Sequence, residues 1–387
     1  MPSYHHLGQI PGKRHTAFRS PGGALYNEEL MGNEGFSGLS SLLYHIHPPT
    51  MVRAAGANQP LESVEAEDRS LRHRHFKTSG VGAGGDPVSA RQLLLWNEDA
   101  SISIARPTGS AEFFFRNGQA DELIYVSDGG GILRSPFGRL PFRRGDYLII
   151  PRGITYRMEL WPGEHRYLIV ESRGVIRTPK RYRNNYGQHL ESAPFCERDF
   201  RLPQELETID ERGDFEVVVK HRGGLHRYVY ARHPFDVVGW DGYYYPWALN
   251  IEDFMPTVGK VHLPPPVHQV FEGDGFVVCN FVPRLYDFHP DAVPVPYHHT
   301  NAQSDEVLYY ASERFMSRRG IEYGSITHHP DGIPHGPHPG LIEPSIGKKE
   351  TDELAVMVDT FRPLRVARGA EAIEDTAYPT SWLPADE

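Results

Sequence analysis

The sequence predicts an all-β protein made of two tandem β-barrel or jelly-roll domains behind an irregular N-terminal arm. Three observations predict it. Short apolar runs recur at regular spacing, most of them bounded by Gly, Pro, Asp or Asn. The 33 Pro and 38 Gly among 387 residues require many turns and short elements. A two-part pattern also occurs twice in the chain, so one barrel-sized unit is used two times.

The elements follow in order. Residues 1–54 read as the arm, rich in turn residues such as Ser20-Pro21-Gly22-Gly23 and Met31-Gly32-Asn33-Glu34-Gly35. Within it Ser40 to His47 has strand character, stopped by Pro48 and Pro49. Strands are then expected at Gln92 to Trp96, Glu122 to Val126, Tyr147 to Ile150 and Tyr167 to Val170. The pattern loosens between 176 and 225, where Arg177 to Gln188 is polar and basic. Strands resume at Phe215 to Lys220 and continue to Val356 to Val358. The sequence thus predicts an N-terminal unit at 1–225 and a C-terminal unit at 226–387. Helical periodicity is weak throughout, and Glu371 to Thr376 is its best candidate.

The repeat shows where to look for chemistry. Phe115 to Tyr125 aligns without a gap on His299 to Tyr309, and Gly145 to Tyr156 aligns on Gly324 to His335. Phe115 therefore matches His299, and Tyr156 matches His335. Only the carboxylate is common, Glu122 against Glu306. The first copy keeps the architecture without a ligand set, and the second can supply two imidazoles and a carboxylate. That set on one face of a metal leaves the opposite face open, which suits non-haem Fe(II) that must bind both dioxygen and a substrate. Mn(II) and Zn(II) accept similar ligands. Asp305 beside Glu306 is the alternative carboxylate, although the repeat favours Glu306.

Composition narrows the function classes. The net charge of −10, with no outstanding Lys/Arg run, argues against a nucleic-acid partner. An anionic substrate must then be drawn in by local Arg, His or metal charge. Two cysteines, Cys196 and Cys279, make no disulfide framework and fit a reducing cytoplasm. The start Met1 to His6 is polar and unlike a signal peptide. No apolar run approaches membrane-spanning length, so no membrane partner is expected.

Each copy carries Asp-Glu followed by apolar residues, then a glycine turn, then G-x5-P-x-G in the first copy and its counterpart Gly324 to Gly332 in the second. This resembles the paired motifs of the cupin superfamily, and two copies make a bicupin. The resemblance extends to the homogentisate 1,2-dioxygenase family, shorter bacterial type, over nearly the whole chain. Ser40 to Pro49, His233 to Gly242, His262 with Pro264 to Pro266, Tyr297 to Glu306, and Pro334 to Pro337 carry it.

The resemblance implies a cytoplasmic Fe(II) enzyme assembled from trimers, often as hexamers. It would convert homogentisate and dioxygen to maleylacetoacetate in tyrosine and phenylalanine catabolism. It places the iron ligands at His299, Glu306 and His335 and a histidine base at His262. Two departures stand out. The His299–Glu306 spacing is one residue longer than the family's, and Asp305 sits at the shorter spacing. Phe315 stands where the family tends to have a tyrosine near the substrate, which keeps gentisate or another hydroquinone acid open as substrate. An isomerase or binding bicupin without oxygenase activity is the more distant alternative.

Further candidates surround this set. A neutral imidazole at His262 can take a phenolic proton near pH 7, with His268 as competitor. His329, six residues before His335, is expected to touch substrate or to orient a ligand. Tyr297, Phe315 and Arg284 are expected to line the pocket and His335 to meet substrate as well as metal, with Arg284 facing either a substrate carboxylate or a structural ion pair. His298 should point away from His299. His45 and His47 read as structural or interfacial, and Lys180 to Arg183 as a solvated or subunit-contact face.

Overall fold

The computed structural model describes residues 3–383. Met1 and Pro2 of the polar N-terminus lie outside them. The apolar runs form strands where expected: Arg91–Trp96, Asp121–Asp128, Asp146–Ile150, Arg166–Ser172, Arg212–His221 and Ala355–Thr360. The arm contributes strands His5–Gly8, Asn27–Gly32 and Ser40–His45, the last stopped before Pro48 and Pro49.

The first unit is built from a seven-stranded and an eight-stranded sheet. Side chains of both, among them Phe115, Leu133, Phe142 and Met158 from one and Leu123, Leu148 and Val170 from the other, share one buried core. The second unit has a six-stranded sheet in the order Gln269–Gly273, Phe276–Phe281, Ala355–Thr360, Asp305–Tyr310, Ile326–His329, Arg74–Phe76. A short pair, Arg284–Leu285 with Glu350–Thr351, and long loops form its other wall.

Strand alternation explains how the units join. Val307, Tyr309, Val356 and Val358 point outward into the core shared with the first unit. Leu308, Tyr310, Ala355 and Met357 point inward to a second, smaller core. Across the junction Tyr147 donates to Asn280 Oδ1 at 2.6 Å and Tyr309 to Ser127 Oγ at 2.7 Å. Tyr125 and Tyr309, equivalent in the repeat, meet with ring centres 5.9 Å apart.

Strands up to Trp247–Asn250 still pair with first-unit strands, and Gln269–Gly273 opens the second sheet. We therefore propose that the division lies between 251 and 268 rather than near 225. Arg212–His221 pairs back onto Phe114–Asn117, and Val237–Gly242 onto Ser40–His45. Local strand character cannot reveal such distant partners. The helix expected at Glu371 to Thr376 lies instead at Arg368–Glu371. A β-bridge from Glu374 to Phe76 ends it early.

Candidate metal centre

His299 and His335 form an isolated antiparallel bridge, with His299 N–H donating to the His335 carbonyl at 2.8 Å and the reverse bond at 2.9 Å. The Phe115–Tyr156 pair is the matching bridge of the first unit. Glu306 reaches the same point from the strand Asp305–Tyr310, because its side chain is on the inward face. Its Oε2 lies 3.6 Å from His299 Nε2, and its Oε1 lies 3.4 Å from His335 Nε2. One donor atom from each of the three falls within 4.8 Å of the others.

The ring orientations are set by the backbone. His299 Nδ1 is 3.2 Å from the Tyr297 carbonyl, and His335 Nδ1 is 3.3 Å from the Ile333 carbonyl. Donation from Nδ1 to a carbonyl leaves the Nε2 lone pair free as a ligand. His335 Nε2 is buried and has no hydrogen-bond partner among the described residues. Two imidazole nitrogens and a carboxylate that face one another in this way fit a divalent cation. Burial opposes charge on Glu306, but the imidazoles of His299, His329 and His335 outweigh it and hold the carboxyl well below its usual range. The contact with Glu306 raises His299 above an ordinary histidine, against its burial.

Asp305 points the other way. It accepts from His328 Nε2 at 2.9 Å and from the backbone N–H of Asp331 and Leu364. His329 is fully buried behind Glu306, with Nδ1 2.9 Å from Oε1 and Nε2 3.1 Å from the Tyr378 hydroxyl. It does not line the cavity beside the centre, so of its two expected roles the geometry suits orienting a ligand rather than touching substrate. His335 is likewise buried at the back wall. His298 is exposed, away from the centre.

The cavity holds about 270 Å³. His262, Arg284, Tyr297 and Phe315, all expected from the sequence, line it together with His299 and Glu306. His262 is half-buried, packs edge-on against Tyr297 at 5.0 Å, and is kept toward the neutral form mainly by burial. His268 is buried more deeply, and its pKa is pushed down to about 3. Arg284 lies 2.7 Å from the buried Glu353, so its ion pair is internal. Phe315 packs edge-on against Phe281 and Tyr310 and brings no hydroxyl.

Three residues escaped the sequence reading: Asp359 and Arg318, which line the cavity, and Tyr378, which meets His329 behind Glu306. Burial, and then the charge of Glu306, push Asp359 well above the carboxylate range. Asp359 could have been found, since Val356-Met357-Val358-Asp359 repeats the pattern of Leu168-Ile169-Val170-Glu171. Arg318 and Tyr378 come from an irregular loop and from the C-terminal segment, and carry no motif.

His45 is buried between Asp236 and Glu29 and is structural. His47 pairs with Asp210 at 2.6 Å. Lys180–Tyr182 forms a surface 3-10 turn whose Arg181 donates to the Pro266 carbonyl.

Comparison with known proteins bears on the whole chain. The family model described as homogentisate 1,2-dioxygenase N-terminal matches residues 98–251, which lie in the unit without the triad. The protein named "Putative dioxygenase SSO1533" of Saccharolobus solfataricus is 42% identical over 385 residues, covering 99% of each chain. Homogentisate 1,2-dioxygenase of Nitrobacter hamburgensis is 27% identical, over 97% of this chain and 90% of its own. Among solved structures, a Cupin 2 conserved barrel domain protein from Leptotrichia buccalis aligns at 9% identity and TM-score 0.32, over 78% of this chain and 100% of that one. The full-length relative at 42% identity makes the chain a dioxygenase, and the family model together with the homogentisate dioxygenase relatives places it in the homogentisate 1,2-dioxygenase family.

Proposed function

We propose that this dioxygenase uses iron(II), held by His299, Glu306 and His335, to open the ring of homogentisate to maleylacetoacetate in tyrosine and phenylalanine catabolism. One observation carries the reading: the three donors converge within 4.8 Å at the edge of a cavity sized for a small aromatic acid. When bound, iron(II) supplies the open positions and the redox chemistry that dioxygen needs. The chain does the rest. Neutral His262 takes the proton of a substrate phenol. Phe281, Leu308, Phe315 and Met357 give the ring an apolar wall that limits water. Arg318 keeps positive charge at the cavity for an anionic substrate.

Assembly as a homo-oligomer built from trimers and a cytoplasmic location belong to the same proposal. The family resemblance supports the first, and the free thiols of Cys196 and Cys279 support the second. Among the described residues no helix is long and apolar enough to cross a membrane. A second reading, gentisate or another hydroquinone acid, is favoured by Phe315, which offers the substrate no hydrogen bond. Oxygen uptake decides. Protein loaded anaerobically with Fe(II) and given homogentisate in air should consume one dioxygen per substrate, with the absorbance of a ring-opened product. Uptake with gentisate and none with homogentisate would overturn the substrate assignment.

A further inference from the structure

The internal repeat continues one strand beyond its two motifs. Glu171 stands across from Glu122 on the neighbouring strand, and Asp359 stands across from Glu306. In the first barrel this carboxylate pair is fully served. Arg91 bonds Glu122 closely and lies 3.4 Å from Glu171. Asn117 and Lys220 each donate to Glu171 at 2.6 Å, and Ser101 donates at 3.2 Å. The Arg91 guanidinium also donates to the Tyr156 hydroxyl at 3.1 Å and lies over the Phe115 ring at 5.3 Å. It thus meets the counterparts of His299, Glu306, His335 and Asp359 at once.

In the second barrel one of these four positions is left without a partner among the described residues. Glu306 is served by three imidazoles. Asp359 has neither hydrogen bond nor ion pair among the described residues, although its Oδ1 is buried and its side chain lines the cavity. Asp359 is half-buried at the cavity wall, so a group that enters the cavity can supply the donor its carboxyl group lacks. Side chains directly across an antiparallel pair start about 4.5–5.5 Å apart at Cβ. Asp359 therefore reaches whatever sits on the cavity side of Glu306. The converging metal-ligand set does not include it.

We propose that Asp359 contacts substrate: a ring hydroxyl of the aromatic acid, seated on the cavity side of the His299–Glu306–His335 centre, donates a hydrogen bond to it. The inference rests on the reading of that centre as a metal site for a hydroxylated aromatic acid. Asp359 would make the site select a protic oxygen at that position over an ether, because its shielded Oδ1 has no donor and an ether oxygen cannot supply one.

Anaerobic binding to the full-length Fe(II) protein tests this, with homogentisate and its two ring mono-methyl ethers as probes. Wild type should bind homogentisate about tenfold or more tighter than one of the ethers. Asp359→Leu removes the acceptor and should narrow that ratio to under about threefold, with metal affinity unchanged. Asp359→Asn keeps a carbonyl acceptor and should retain an intermediate ratio. Asp359→Ala replaces the leucine variant if that variant does not fold. A wild-type ratio near one, or a leucine or alanine variant with the wild-type ratio, would overturn the proposal. Loss of metal from these variants would also overturn it, since Asp359 would then be a ligand. Wild type that takes up no metal, or no more than His299→Ala does, would overturn the metal-centre reading itself, and this inference with it.

Discussion

At the scale of single residues, the decisive choice lies between two adjacent carboxylates. Consecutive side chains of a strand face opposite ways, so Asp305 and Glu306 cannot both enter the barrel. Glu306 enters and meets three imidazoles, and Asp305 ties down the Asp331 and Leu364 backbone outside. Glu306→Gln should therefore lose bound iron. Asp305→Asn should keep its iron but cost about 1–3 kcal/mol of stability, as its buried donors lose their charged acceptor. Metal analysis and thermal melting of both variants check this, and the reverse pattern would put the strand one residue out of register. A second choice concerns the tautomer of His329. The Glu306 carboxylate can only accept, and the Tyr378 hydroxyl, 3.1 Å from His329 Nε2, donates to that nitrogen. His329 Nδ1 then carries a proton and donates to Glu306. Tyr378→Phe removes the constraint and should weaken metal affinity by about tenfold. Competition with a chelator would measure it, and unchanged affinity would make Tyr378 a packing residue only.

At the scale of elements, the two copies share one hairpin plan with different chemistry. Tyr147↔Tyr125 and Ile150↔Glu122 in the first copy correspond to Ile326↔Tyr309 and His329↔Glu306 in the second. The bridges Tyr156↔Phe115 and His335↔His299 correspond in the same way. In the first copy the Tyr156 hydroxyl donates to Glu122 at 2.6 Å, and Arg91 supplies the cation. Iron retention should be lost in His335→Ala and unchanged in Tyr156→Ala. The latter should instead lose about 3–5 kcal/mol of stability, because it empties a core position. Equal iron loss in the two variants would mean that the first barrel also holds metal.

At the scale of the molecule, the units are sewn together by exchanged strands. Arg74–Phe76 completes the second sheet, and Arg365–Val366 joins Arg91–Trp96 of the first unit. The arm is held to the body by His45, whose two ring nitrogens lie 2.7 Å from Asp236 and 3.0 Å from Glu29. Burial alone would lower its pKa, but these carboxylates outweigh burial and raise it to about 9. A histidine raised on folding stabilises fully below its unfolded pKa of about 6.5, and that stability is lost as pH rises through the folded value. The melting temperature of His45→Gln should thus fall below wild type by a few degrees near pH 6, with the gap closing by about pH 10. A gap that stays constant with pH would mean that His45 acts by packing alone.

The sequence by itself determined a good deal. Alternating apolar runs set the strands, and turn residues set their ends, because both depend on near neighbours. The repeat singled out His299, Glu306 and His335, since a copy stripped of its ligands shows by contrast which positions carry the chemistry. It also favoured Glu306 over Asp305 against the one-residue spacing difference, as the inward face of the strand requires. Only the tertiary structure decided which strands pair across long stretches of chain. Arg212–His221 reads as a strand of either unit until its partner Phe114–Asn117 is known. The same holds for the roles of His329 and Arg284. Their residue types suit a substrate contact, and burial behind Glu306 in one case and a partner at Glu353 in the other depend on chain that lies far away in sequence. The unpartnered carboxyl group of Asp359 is a fact of the same kind, because the lack of a partner among the described residues can be seen only once those residues have been placed.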